Sequence, residues 1–320
     1  MAANPSIAAG LRHSTVPTWF SLVFGSWVAL LWGCIVSSPV GGSFIVATGG
    51  LFGGLIYLST LFVGFFAVPI WGTLWGFIGL GAQRGSAVRN HGITLVQETD
   101  PLAQRVHALA WNLGLPVKPW VGIMPHNNAY AIGSSPRDAL VVVGQPLLEG
   151  LTEDEVNAII GHELGHVVNN DMRRMGFARS FQNSLVWYLG FSRTLQGWGR
   201  WFLSWLSELF VLGLSRNREY WADAIGAILT SKEAMISALE KLHNEPPMSS
   251  FERQNARLMF RGIASGSMFS THPTLAQRRQ ALQNETYIRR LGALRGAITP
   301  MLSPQKLVPV SNETGMAKAE

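Results

Sequence analysis

Residues 151–168 read LTEDEVNAIIGHELGHVV. Thr152 and Glu155 stand three apart, the spacing of a capping box, and Glu153, Asp154 and Glu155 place three carboxylates in a first turn, where the helix dipole favours them. Val156, Ile159, Ile160, Leu164 and Val167 recur at helical spacing and supply a buried face. Into this helix falls His162-Glu-Leu-Gly-His166, an HExxH motif. Residues i and i+4 project from one face of a helix, so two imidazoles so placed can bind one Zn²⁺. Glu163, next to the first of them, can reach a water at the metal as general base. Two histidines do not complete a site. Without a third ligand the motif is an ordinary part-buried helix with two incidental histidines.

A candidate third ligand lies in Ser215-Arg-Asn-Arg-Glu-Tyr-Trp-Ala-Asp223, with Glu219 following His166 by 53 residues. Glu219 and Asp223 are again i and i+4, on one face of a second expected helix. Glu219 can complete a His-His-Glu set that leaves a fourth zinc position for water, and Asp223 can hydrogen-bond a ligand imidazole from behind. On its own the pair would be a solvated acidic face; the upstream motif gives it a different meaning.

Outward from this centre, charge divides the chain. Of 44 Asp, Glu, Lys and Arg residues only Arg12 precedes Arg84, and residues 13–83 are 71 consecutive positions without a formal charge. A soluble domain needs charge to solvate its outer face, so an ordinary cytosolic globule and a disordered chain are both excluded. Residues 16–36 are long enough to cross a hydrocarbon core of about 30 Å as a helix, and no small-residue cleavage site marks them as a removable signal. A Ser-Ser-Pro-Val-Gly-Gly turn at 37–42 leads to a second apolar stretch, 44–80, too long for one straight span and interrupted by Pro69, which is expected to kink it or to divide a span from an interfacial helix. Gly72 and Gly76, four apart, permit close helix packing in lipid. Gly49, Gly50, Gly53 and Gly54 fit either such packing or a loop before the second span. Arg12 before the pair, Arg84 and Arg89 after it and no charge in the turn put both ends in the cytoplasm.

The net charge of +6 does not point to nucleic acid. Arg173, Arg174, Arg179, Arg278 and Arg279 flank apolar segments without interleaved stacking aromatics, the arrangement suited to anionic lipid headgroups. The single cysteine, Cys34, excludes an intramolecular disulfide framework. From Asp100 the pattern is that of a folded domain. Leu102, Val106, Leu109 and Leu113 predict a helix capped by Asp100 and stopped at Gly114, and 117–124 and 139–143 read as strands joined through 127–133.

Taken in order, His162–His166 with Asn169-Asn170-Asp171 behind it, the Ser-Arg-x-Arg-Glu-Tyr-x-Ala-Asp run at 215–223, Thr271-His272-Pro273, and Asn128-Ala129-Tyr130-Ala131-x-Gly133 resemble the HtpX family. These are membrane-anchored zinc metallopeptidases related to the CAAX prenyl endopeptidases. The resemblance spans about 90–285, with the amino-terminal membrane pair also in place. It implies His162, His166 and Glu219 as ligands of one Zn²⁺ per chain and Glu163 as the base. It further implies His272 as a donor to the oxyanion and Asn128 and Ala129 as an edge that pairs with the substrate backbone. The fold expected is mainly α: an N-terminal transmembrane helical hairpin and an α+β zincin-like (gluzincin) catalytic domain with a small β-sheet. The divisions are a cytosolic 1–15, the hairpin at 16–83, the metallopeptidase domain at 84–295 and a disordered tail at 296–320.

One region departs from the family pattern. Typical members carry a second transmembrane pair before the glutamate helix, but here 181–214 offers 34 residues, interrupted by Arg193 and Arg200. Two full spans need about 40. Its Trp187, Tyr188, Trp198, Trp201 and Trp205 suit an interfacial belt, so the segment reads as a helical hairpin lying on or dipping into the membrane. Residues 244–270, with Pro246-Pro247 and three methionines, fit a flap over the cleft or an ordinary surface connection. The expected setting is a bacterial-type inner membrane with the catalytic domain on its cytoplasmic face. The expected partners are the bilayer and protein or peptide substrates. The family points to quality control of misfolded membrane proteins; a narrow peptidase for one membrane or lipidated protein and a non-enzymatic scaffold with a structural metal are the alternatives.

Overall fold

The computed structural model describes residues 19–27, 50–115, 117–185, 218–243 and 273–295. In chain order the elements are α1 (19–27), α2 (Leu51–Asn90), β1 (Thr94–Leu95), α3 (Pro101–Asn112), β2 (Trp120–Met124), β3 (Ala129–Ile132), β4 (Leu140–Gly144) and α4 (Gln145–Gly150). There follow α5 (Glu153–Val168), α6 (Asp171–Leu185), α7 (218–229), α8 (Lys232–His243), α9 (Leu275–Gln283) and α10 (Thr286–Arg295). The described residues are mostly helical, with one small mixed sheet among them.

Helix α2 has 40 residues, about 60 Å at 1.5 Å per residue and about twice a hydrocarbon core. Leu55, Leu58, Phe62, Val63, Phe66, Ile70, Leu74 and Phe77 stand exposed along it. Among the described residues it contains the one segment, Phe65–Asn90, long and apolar enough to cross a membrane. The helix runs through Pro69 without a break, so Pro69 does not divide it into two segments. Proline has no N–H to offer the carbonyl four residues earlier, which belongs to Phe65. That carbonyl accepts instead from Trp27 Nε1 of α1 at 2.8 Å, and the Trp27 and Phe65 rings stack at 4.6 Å. Trp19, at the other end of α1, donates to Thr73 Oγ1 at 2.8 Å. The two contacts run in opposite chain directions, so α1 lies antiparallel to the middle of α2. Of the first expected span, 16–36, only these residues are described. Gly50 proves to be the residue that starts α2, with φ of 63°.

Helix α6 also runs antiparallel to α2. Phe181 fills the space over Gly72, Phe177 that over Gly76, and Ser180 that over Gly79, while Gln83 reaches the backbone at Gly176. Leu22 and Val23 of α1 close this apolar cluster. Helix α6 begins at Asp171, so the chain is already helical where the hairpin of 181–214 was expected to begin. The rest of 181–214 beyond Leu185, the 244–270 connection and the tail after 295 lie outside the described residues.

Past the apolar stretch, α2 continues to Asn90 because its last turns have a second partner. Ala87 and Ile93 pack on Met124, Tyr130, Leu140 and Val142 on one face of the sheet. Arg84 pairs with Asp138 and lies over the Trp120 ring, 5.1 Å from its centre. The strand order is β1-β2-β4-β3. β2 and β4 are parallel, with Val121 opposite Val141, and β1 and β3 flank them antiparallel. Of these strands, β1 and β3 were not expected: 127–133 had been read as a connection. All four residues of β3 and all five of β4 are buried, so β3 lacks the alternation that marks a half-exposed strand. The opposite face, with Val121, Ala129, Val141 and Val143, packs on α3 and α5.

Candidate metal centre

Helix α5 starts as its sequence dictates. Thr152 accepts from the Glu155 N–H, and the Glu155 carboxylate accepts from the Thr152 N–H at 2.8 Å. The same carboxylate takes Ser237 Oγ at 2.6 Å and Lys241 Nζ at 2.8 Å from α8. Burial works against the charge of Glu155, but these donors outweigh it and hold the carboxyl at about 2. One residue therefore caps α5 and docks α8 against it.

The next contact decides the site. A Cβ at Gly161 would lie 2.9 Å from the Gly226 Cα, and one at Gly165 would lie 3.0 Å from the Ala222 Cα. Glycine at both positions lets α7 rest its backbone on α5. Glu219, Ala222, Asp223 and Gly226 fall at i, i+3, i+4 and i+7, so the face of α7 that meets α5 is also the face that carries the two carboxylates. Glu219 Oε1 then stands 3.7 Å from His166 Nε2, and Oε2 stands 3.8 Å from His162 Nε2. The two Nε2 atoms are 3.1 Å apart.

These donors suit a metal ion. All three ligand atoms lie within 4.8 Å of one another. Tetrahedral zinc, with bonds of about 2.0–2.1 Å, separates its ligand atoms by about 3.3 Å. Two imidazoles and one carboxylate are a zinc-type set, and three protein ligands leave one position open. His162 and Glu219 are buried, with side chains 1% and 2% exposed. Zinc fits.

Each imidazole is braced from behind. His162 Nδ1 lies 2.9 Å from Asp223 Oδ1, and Arg278 of α9 grips both Asp223 oxygens, at 2.5 and 2.8 Å. His166 Nδ1 lies 3.1 Å from Asp171 Oδ2. Burial lowers His162 to about 4, the largest of its influences. Burial opposes the charge of His166 too, but the Asp171 hydrogen bond and the Glu219 field win, and its pKa rises to about 9 in the metal-free protein. Asp223 is held below the usual carboxylate range: burial opposes its charge, and Arg278 and His162 together outweigh burial.

Glu163 points beside this set. Burial raises its carboxyl to about 7, with Glu219 adding to the rise and the Ala131 backbone N–H pulling it back. Its Oε1 is buried without a hydrogen-bond partner among the described residues. A carboxyl poised near neutrality with one free oxygen is suited to take and return a proton.

The structure thus brings together His162, Glu163, His166, Glu219 and Asp223. Asn128 is buried immediately before β3, and its Oδ1 accepts from the Ala129 N–H at 2.9 Å. His272 lies outside the described residues; Pro273, next to it, is buried at the start of the turn into α9. Sequence reasoning missed Asp171, Arg218 and Arg278. Asp171 and Arg218 had been quoted within the family motifs without a role, whereas Arg174 and Arg278, read as suited to lipid headgroups, are buried, Arg278 on Asp223 and Arg174 facing Asp171.

Residues 96–286 match the family described as Peptidase family M48. The chain belongs to peptidase family M48. The family is one of metallopeptidases, and His162, His166 and Glu219 could hold a metal ion. Among curated M48 relatives, the Protease HtpX of Acinetobacter baumannii (strain AYE) is 30% identical over 252 residues, covering 67% of this chain and 83% of that protein. The Protease HtpX of Stenotrophomonas maltophilia (strain K279a) is 32% identical over 240 residues, covering 66% and 83%. That of Pseudomonas syringae pv. tomato is 34% identical over 208 residues, covering 57% and 70%. The crystal structure of S. mikatae Ste24p aligns over 80% of this chain and 65% of that one, with 21% identity and a TM-score of 0.42.

Proposed function

We propose that this M48 peptidase is a membrane-anchored zinc endopeptidase with His162, His166 and Glu219 as ligands and Glu163 as general base. The observation that carries the reading is the convergence of three buried donor atoms within 4.8 Å beside a carboxyl raised to about 7. His162, His166 and Glu219 would hold a zinc ion, whose chemistry there would be that of a Lewis acid toward the scissile carbonyl and toward water, lowering the water pKa toward about 7. Glu163 accepts the proton of the attacking water on its free oxygen and delivers it to the leaving amine. Asp223, fixed by Arg278, keeps the His162 proton on Nδ1 and its Nε2 lone pair directed at the metal position. β3 is an outermost strand of the sheet, and the N–H of Ala131 on it already meets Glu163. This favours Asn128 and Ala129 as the edge that aligns an extended substrate. His272 is assigned to the oxyanion by family resemblance.

The apolar exposure of α2 and its antiparallel contact with α1 support a membrane hairpin over 16–83, with the peptidase domain at 84–295 and 181–214 associated with the bilayer. Arg12, Arg84 and Arg89 orient that hairpin with the active site in the cytoplasm of a bacterial-type inner membrane. Substrates are misfolded membrane proteins in this reading, and quality control is the role.

The test is paired. Wild type and Glu163→Gln are purified in detergent, bound zinc is quantified, and cleavage of an unfolded protein is followed. Zinc near one per chain in both, with cleavage in wild type alone, is expected. A clean Glu163→Gln preparation that still cleaves would overturn the assignment of the base.

A further inference from the structure

We propose that Asp171 is a positioning residue for His166, paired with Arg218 and Arg174, so that each metal-binding imidazole has its own carboxylate backed by arginine. The proposal rests on reading His162, His166 and Glu219 as metal ligands. Helix α5 ends at Val168, and the chain turns through Asn170, which has φ of 62°. A left-handed residue there turns the chain sharply, so α6 begins only five residues beyond His166. Its first residue, Asp171, is 2% exposed, with Oδ2 on His166 Nδ1 and Oδ1 facing Arg218 at 3.7 Å and Arg174 at 3.8 Å.

Arg218 immediately precedes Glu219. The ion pair with Asp171 therefore ties the start of α7 to the start of α6, and the same carboxylate touches one ligand directly and secures the backbone next to another. The arrangement parallels Asp223 with Arg278 on His162, but Arg218 holds Asp171 by an ion pair rather than a hydrogen bond, with Arg174 sharing Oδ1. Its parts also come from different helices: α6 and α7 serve His166, α7 and α9 serve His162. A carboxylate on Nδ1 fixes the imidazole tautomer with the lone pair on Nε2 and stops the ring turning away. Loss of such an outer partner typically costs 10–100-fold in metal affinity.

The experiment uses the full chain in detergent as wild type, Asp171→Asn and Asp171→Ala. Zinc affinity is measured by competition with a chromogenic chelator, and the visible spectrum of the cobalt-substituted protein reports ligand geometry. Asp171→Ala is expected to bind zinc 10–100-fold more weakly, with shifted cobalt bands. Asp171→Asn, whose side-chain oxygen still accepts from Nδ1–H, is expected to recover part of the loss. Wild-type zinc affinity and an unchanged cobalt spectrum in Asp171→Ala would overturn the proposal. Should that variant fail to fold by circular dichroism, Asp171→Asn decides: weaker zinc and shifted bands support the role, and no change in either removes it. A wild type that takes up no zinc would strike the metal-centre reading itself, an outcome distinct from equal binding by all three proteins.

Discussion

Where α5 crosses α7, glycine meets backbone: Gly161 lies under Gly226 and Gly165 under Ala222. Where α2 runs along α6, glycine meets side chains: Gly72 and Gly76 receive the rings of Phe181 and Phe177, and Gly79 receives Ser180. The first seam is a geometric requirement of the chemistry, because Glu219 reaches two imidazoles only if its helix touches theirs. The second is an apolar fit between a membrane-length helix and the helix that begins at Asp171. A backbone neighbour cannot turn aside, whereas an aromatic ring can be trimmed or can find another rotamer. The two seams should therefore differ in what a methyl group does to them, and in whether the damage can be repaired.

The largest effect is expected at the first seam. Gly161→Ala pushes a Cβ against the Gly226 Cα, so α7 must retreat and take Glu219 with it. Overpacking of this kind costs about 1–3 kcal/mol, and zinc affinity measured by chelator competition is expected to fall at least about tenfold, since a ligand is displaced. No side-chain truncation on α7 should restore it. Zinc binding as tight as wild type would show that α7 does not need the close approach.

Next in size is the pH dependence of zinc uptake by the metal-free protein. His166, raised to about 9, is protonated below that pH, and a metal ion must displace the proton. Affinity should rise about tenfold per pH unit from 7 toward 9 and level off above it, with about one proton released per zinc below the break. Calorimetry in buffers of different ionisation enthalpy measures that proton. A flat affinity between pH 7 and 9 would mean that Asp171 and Glu219 do not hold a charge on the ring.

The smallest effect is expected at the second seam. Gly76→Ala puts a Cβ 2.6 Å from the Phe177 ring and should cost about 1–3 kcal/mol by overpacking, seen as a lower unfolding temperature in detergent. Phe177→Leu in the same chain should recover most of it, and zinc content should stay at the wild-type level. A Gly76→Ala protein that loses zinc would erase the distinction between the seams.

Several parts of this arrangement were open to a reader of the sequence, for identifiable reasons. The capping box at Thr152 and Glu155 and the i, i+4 pairs His162/His166 and Glu219/Asp223 are local patterns, and helix geometry alone puts each pair on one face. What brings the pairs together is not local. Gly161, Gly165 and Gly226 weaken a helix by propensity, and only the crossing shows why they are there. β3 escaped because Ala129, Tyr130, Ala131 and Ile132 are buried on both faces and give no alternation. The apolar run legible in the sequence stops near residue 80, but α2 continues to Asn90, because its polar last turns found the sheet as a second partner. Arg278 reaches Asp223 across 55 positions and Arg218 reaches Asp171 across 47, separations at which a single sequence carries no pairing signal.

The most direct test of the metal centre is the X-ray absorption spectrum of zinc in the purified full chain. Two imidazole nitrogens and one carboxylate oxygen about 2.0–2.1 Å from the metal, with one further light ligand, are expected, and the carboxylate contribution should vanish in Glu219→Ala. A shell containing sulfur, an all-oxygen shell, or a spectrum unchanged by Glu219→Ala would contradict the assignment of His162, His166 and Glu219.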